Sequence, residues 1–105
     1  MKQISVKDLS AWLSQADAPV VLDVREPWEV ALAKVPGSVV IPMHEIPARV
    51  GELPAQRPIV CLCHHGMRSM QVAIFLERNG FDAVHNLVGG IDAWSREIDP
   101  SVPTY

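Results

Sequence analysis

Two short stretches, Val20-Val-Leu-Asp-Val24 and Pro58-Ile-Val-Cys-Leu62, are apolar at almost every position. A strand with one solvated face alternates apolar and polar residues. A run without that alternation is buried on both faces, the pattern of a parallel sheet covered by helices. Ser38-Val-Val-Ile41, entered through a Pro36-Gly37 turn, and the segment from Ala83 to Val88 read as two further strands. Helical segments fall between the strands. Ser5-Val-Lys-Asp8 is a capping-box-like start to a helix whose Leu9, Trp12 and Leu13 share one face. Residues 44–53 can hold one short helix, broken early by Pro47. Met70 to Leu76 is apolar nearly all round, which predicts burial on several sides, and Gly80 is placed to close that helix in the left-handed conformation. Ile91 to Arg96 opens a last helix after Gly89-Gly90, and Asp99 to Tyr105 reads as an extended tail. Strands alternating with helices predict an α/β domain built on a parallel sheet. At 105 residues, 49% of them hydrophobic, the chain supports a single domain over residues 1–105.

The same figures narrow the function. A net charge of −3 argues against a nucleic-acid or anionic-membrane surface. No apolar run reaches the ~18 residues of a membrane span, and Met1-Lys-Gln-Ile-Ser5 lacks the apolar stretch of a secretory signal. Two cysteines do not make a disulfide framework, so a reducing, cytoplasmic setting is expected.

The chemistry concentrates in Cys61-Leu-Cys-His-His-Gly-Met-Arg-Ser69, where the second apolar strand turns into a helix. The first N–H groups of a helix have no internal partners and sit at the positive end of its dipole, so an anion is favoured there. A cysteine at that turn should ionise more readily than a free one, whose pKa is about 8.5. Arg68, five positions after Cys63, adds positive charge. Gly66 lets the loop curl so that several N–H groups point at the sulfur. Cys63 therefore reads as a thiolate nucleophile in a cradle that would equally suit a persulfide anion. Two other readings of the loop are weaker. Cys61, Cys63, His64 and His65 are zinc-ligand types, but zinc ligands usually come in pairs spaced by two or more residues, and no second pair exists. A disulfide between Cys61 and Cys63, separated only by Leu62, would be strained, so Cys61 reads as an inert buried residue. His64 and His65 either attract an anionic substrate and assist proton transfer, or point into solvent from the rim.

Ligand sites in open α/β sheets gather beyond the carboxyl ends of strands. Asp23 and Arg25, at and just after the end of the first apolar run, are candidates to line or brace the site; an ion pair holding a loop is the alternative. Trp12, His44 and His85 read as structural residues.

These residues resemble the rhodanese-like domain family along essentially the whole chain. Cys63-His-His-Gly-Met-Arg-Ser69 is similar to that family's Cys-x-x-Gly-x-Arg-Ser loop. Asp23-Val-Arg-Glu-Pro-Trp-Glu29, with Val35-Pro-Gly-Ser38 and Ile41-Pro42, resembles its first block. Val88-Gly-Gly-Ile-Asp-Ala-Trp94 and the Asp-Pro-x-Val-Pro tail resemble its C-terminal end. One departure is Ala33-Lys34-Val35, where the family usually has Gly-His-Ile.

The resemblance implies a mostly parallel sheet of about five strands with helices on both faces, and thiosulfate-type sulfurtransferase chemistry. Cys63 would accept the sulfur and the N–H groups of His64, His65, Gly66, Met67, Arg68 and Ser69 would cradle it. Arg68 would close the loop, and Asp23 would brace it from beneath. A related phosphatase branch has Cys-x5-Arg, which makes room for a phosphoryl group; the count here is Cys-x4-Arg, which favours sulfur. No metal and no organic cofactor are expected. The expected partners are a small-molecule sulfur donor and a thiophilic acceptor, cyanide in an assay or a cellular thiol. A sulfur-relay or protein-binding module working with a partner protein is the alternative function.

Overall fold

The structure is a computed structural model that describes all 105 residues. The elements follow one another as β1 (Lys2–Ile4), α1 (Val6–Leu13), β2 (Val20–Asp23), α2 (Pro27–Leu32), β3 (Val39–Val40), α3 (Ile46–Arg49), β4 (Ile59–Leu62), α4 (Met67–Arg78), β5 (Val84–Leu87) and α5 (Gly90–Glu97). Two single 3₁₀ turns, Met43–Glu45 and Val50–Glu52, flank α3. All five strands are parallel, in the order β1-β5-β4-β2-β3. No helix is long and apolar enough to cross a membrane.

The unalternating runs behave as parallel-sheet physics requires. Side chains still point to opposite faces in turn, and here both faces are core. Val20, Leu22 and Val24 join Ile59, Cys61 and Cys63 in one buried cluster, completed by Ile46 of α3 and Val72, Ala73 and Leu76 of α4. Val21, Val60 and Leu62 enter the other cluster, with Val6 and Leu9 of α1 and Ile91 and Trp94 of α5. The central position of β4, between β5 and β2, makes it the strand on which both cores depend.

Helix ends follow their local chemistry. Ser5 Oγ accepts the Asp8 N–H at 3.1 Å and starts α1. α4 stops in a Schellman arrangement: Gly80 N–H reaches Glu77 O, Phe81 N–H reaches Leu76 O, and Gly80 holds φ +93°.

Four features differ from the sequence reading. β1 lies in residues that show no apolar run; it forms because its backbone pairs with β5, in register Lys2–His85 through Ile4–Leu87. α4 begins at Met67 and buries one face only, with Gln71 exposed and Ile74 and Phe75 half-buried, because α4 caps a sheet face instead of crossing the core. Pro47 sits in the first turn of α3, where its missing N–H costs nothing, and so starts the helix instead of breaking it. The tail turns back toward the sheet, burying Val102.

Ile59 of β4 has 0% exposure, so Ile59→Ala should cost about 2–5 kcal/mol in denaturant unfolding. Val39 on the edge strand is 43% exposed, and Val39→Ala should stay within about 0.5 kcal/mol of wild type.

Candidate active site

The carboxyl ends of β2, β4 and β5 converge at one end of the sheet. Cys63 leaves β4 there with 1% exposure. Its Sγ accepts the Gly66 N–H at 3.0 Å and lies 3.3 Å from Ser69 Oγ. The chain reaches that geometry because Gly66, the N-cap of α4, takes φ +107°. A Cβ on Gly66 would come within 3.2 Å of Leu87 O, tighter than most contacts tolerate.

The opposite side of the loop is fixed by α5. The N–H groups of Ile91 and Asp92, which the helix itself cannot satisfy, donate to Cys63 O at 2.9 Å and His64 O at 3.1 Å. This close approach requires Gly90: a Cβ there would meet Cys63 O and His64 O at 2.4 Å, and its φ is +58°. With those carbonyls bound to α5, the Gly66 N–H faces the sulfur.

A polar chain runs behind the sulfur. Ser69 Oγ lies 2.5 Å from Asn86 Oδ1, while Asn86 Nδ2 donates to Gly66 O at 3.1 Å and to Gln3 Oε1 at 2.9 Å. Both Asn86 donors are committed, so its carbonyl must face Ser69. A hydroxyl has one proton, and the short contact assigns it to Asn86. The Gly66 N–H is thus the direct donor to the sulfur in this arrangement.

Arg68 grips Glu29 of α2 with two bonds of 2.7 Å. Glu29 also accepts the Glu26 N–H at 2.9 Å and the Tyr105 hydroxyl at 2.9 Å. The Arg68 guanidinium holds the Glu29 carboxyl down at about 2, against an ordinary 4.5, and burial opposes it. Arg25 is fully buried and binds both Asp23 oxygens, through Nε at 2.9 Å and Nη2 at 2.7 Å. It also donates to Ala33 O, Glu29 O and Tyr105 Oη. Asp23 and Arg25 therefore form the loop-holding ion pair, one layer beneath the site. The Ala33-Lys34-Val35 departure is accommodated here: Ala33 O takes Arg25 at 2.6 Å and Val35 is buried. Each guanidinium is matched by its own carboxylate, and the N–H that reaches the sulfur is that of Gly66, at the start of α4.

Of the remaining loop residues, Met67 is 74% exposed and His65 is exposed. His64 is half-buried, its ring stacked on Tyr105 with centroids 3.9 Å apart and planes 5° from parallel. Burial, and then the neighbouring His65, lower the His64 pKa below 6.5. Cys61 faces the first core cluster, and burial pushes its thiol up to about 12, which makes it inert. Both cysteines are free. Cys61, Cys63, His64 and His65 do not gather into a metal-ligand group; the residues that do are His64, His65 and Asp92. Trp12 packs edge-on to His85 at 5.2 Å, and His44 is exposed.

Sequence reasoning missed Glu29, Asn86, Gln3, Tyr105 and the role of Gly90. Asn86 carried a signal, as a polar residue in the middle of a strand. Glu29 carried a weaker one, three residues after Glu26 at a helix start. Tyr105 carried none.

The network carries a pH dependence. A depressed carboxylate stabilises the fold fully above its unfolded pKa of about 4.5 and loses that contribution as pH falls toward about 2. Denaturant midpoints at pH 7 and pH 3 should show a larger acid loss in wild type than in Glu29→Gln. Separately, Gly90→Ala should lower stability and the reactivity of Cys63 together, measured by unfolding and by alkylation rate.

The rhodanese-like domain family's sequence model matches residues 5–97. A sulfurtransferase of Allochromatium vinosum is 37% identical over 102 residues, covering 97% of this chain and 95% of that protein. The rhodanese-like/PpiC domain-containing protein 12, chloroplastic, of Arabidopsis thaliana is 38% identical over 112 residues; this chain is covered completely but spans only 38% of that protein. Among solved structures, a rhodanese-like domain protein from Staphylococcus aureus superposes with a TM-score of 0.86 at 32% identity, covering 100% of this chain and 99% of that one.

Proposed function

Because the chain belongs to the rhodanese-like domain family, we propose that it is a sulfurtransferase that carries a sulfane sulfur as a persulfide on Cys63. The observation that carries this reading is Cys63 Sγ at the end of β4, taking the Gly66 N–H at 3.0 Å in a Cys-x4-Arg loop at the start of α4. A negative sulfur in that position is stabilised by a fixed backbone donor that needs no rearrangement during the reaction.

In the first half-reaction the Cys63 thiolate attacks the outer sulfur of a donor such as thiosulfate. An S–S bond forms to Cys63 as the donor's own S–S bond breaks, and sulfite leaves with the electron pair. In the second, a thiophilic acceptor, cyanide in an assay or a cellular thiol, attacks the outer sulfur and Cys63 departs as thiolate. Two half-reactions through one covalent intermediate give ping-pong kinetics. The negative charge stays on sulfur near the Gly66 N–H throughout. No cofactor enters either step. The inert Cys61 keeps the persulfide from collapsing into an internal disulfide. Two free thiols suit a reducing compartment such as the cytoplasm.

A second reading is a relay module that delivers sulfur to a partner protein; the match to a longer protein that also carries a PpiC domain supports only that such a domain can work beside another. The two differ in the acceptor, since a relay loads sulfur but passes it poorly to small thiols.

Intact-mass measurement after incubation with thiosulfate should show a gain of one sulfur atom, lost on adding cyanide and absent in Cys63→Ser. An unchanged mass in folded wild type would sink the thiosulfate reading. Arg68→Ala and Arg68→Lys should both slow loading, because lysine cannot reproduce the two-bond grip on Glu29; near-wild-type loading by Arg68→Ala would show that the peptide cradle suffices.

A further inference from the structure

His64, His65 and Asp92 are brought together by the fold, and the sulfur chemistry above does not use them as a set. Side chains of adjacent residues on extended chain point apart. The curl of the Cys63 loop instead puts the two imidazoles on the same side, with ring centroids 3.9 Å apart and planes tilted by 32°. His64 is clamped against the Tyr105 ring, and its Nε2 is buried with no hydrogen-bond partner. Asp92, in the first turn of α5, is joined to His64 through its own backbone N–H. One ligand atom from each of the three residues lies within 4.8 Å of the others.

We propose that His64, His65 and Asp92 form a binding site for a first-row divalent transition metal, with zinc the best match. Two imidazoles and a carboxylate suit zinc and its neighbours better than calcium or magnesium, which prefer all-oxygen shells. Ligand bonds of about 2.0–2.2 Å place tetrahedral donors roughly 3.4 Å apart. The three atoms therefore close by up to about 1.4 Å, through side-chain rotations of the exposed His65 and half-exposed Asp92. The opposing contact is the pair between Asp92 and Arg96 at 3.0 Å, a weak surface interaction with Arg96 66% exposed. Cys63 Sγ accepts the Gly66 N–H and lies outside the group of three, so it is not counted as a ligand. Three protein ligands leave a tetrahedral position open to water or an anion. A metal held here also ties the Cys63 loop to α5 through side chains, in addition to the backbone bonds already present.

The test is calorimetric titration of Zn²⁺ into reduced, chelator-treated protein, with Co²⁺ as the spectroscopic probe. One equivalent should bind, and the Co²⁺ form should show tetrahedral visible bands without thiolate-to-cobalt charge transfer. Cys63→Ser should bind equally well; because that variant cannot carry sulfur, this result is independent of the sulfurtransferase reading. His65→Ala and Asp92→Asn, confirmed folded by circular dichroism, should each bind more than about tenfold more weakly. Arg96→Ala, which frees Asp92, should bind more tightly. The proposal is overturned by the absence of saturable binding to wild type, by loss of binding in Cys63→Ser, or by unchanged affinity in both ligand variants.

Discussion

The site depends on one backbone contact, the donation of the Ile91 and Asp92 N–H groups to the carbonyls of Cys63 and His64. Two sets of peptide groups that would otherwise be unpaired, at the start of a helix and in a tight loop, satisfy each other. The contact requires a backbone without a side chain at Gly90, where even a methyl group would overlap both carbonyls. Once those carbonyls are turned outward, the Gly66 N–H can face the sulfur. The chemistry attributed to Cys63 therefore rests as much on a glycine 27 positions away as on the cysteine's own neighbours.

The polar residues around this contact form two layers with different roles. Ser69, Asn86 and Gln3 lie behind the sulfur and fix the loop through side-chain amides and a hydroxyl. Arg68, Glu29, Arg25 and Asp23 lie to one side and are charged, with the Tyr105 hydroxyl joining them, yet each positive group is paired with a carboxylate. The charged layer holds α2, the loop and the tail together. That division explains why a buried arginine is tolerable: Arg25 donates to Asp23, to two carbonyls and to a phenol, so burial leaves few of its donors unpaired.

Much of the fold was legible because the signals are local. Unalternating apolar runs marked β2 and β4, Ser5 marked the start of α1, and Gly80 marked the end of α4. The family resemblance is most specific in the Cys63 loop, whose order in sequence is also its order in space. What escaped notice was non-local. Lys2–Ile4 becomes a strand only because β5 offers an edge, and nothing in those three residues requires it. Glu29 and Tyr105 matter through partners 39 and 76 residues away. Asp23 and Arg25 were visible as candidates, but sequence could not choose between a site lining and a structural pair; their complete burial does.

The side-chain contacts that bring Gln3 to Asn86 and Tyr105 to Arg25 span 83 and 80 residues. Contacts of that reach close large loops, and their entropic cost falls due only after the shorter-range elements have formed. The consequence concerns timing. The sheet can assemble around β2 and β4 while the Cys63 loop is still unbraced, so secondary structure and the chemistry proposed for that loop should emerge at different stages of folding, with order around Cys63 arriving late and being the first property surrendered when either distant brace lets go.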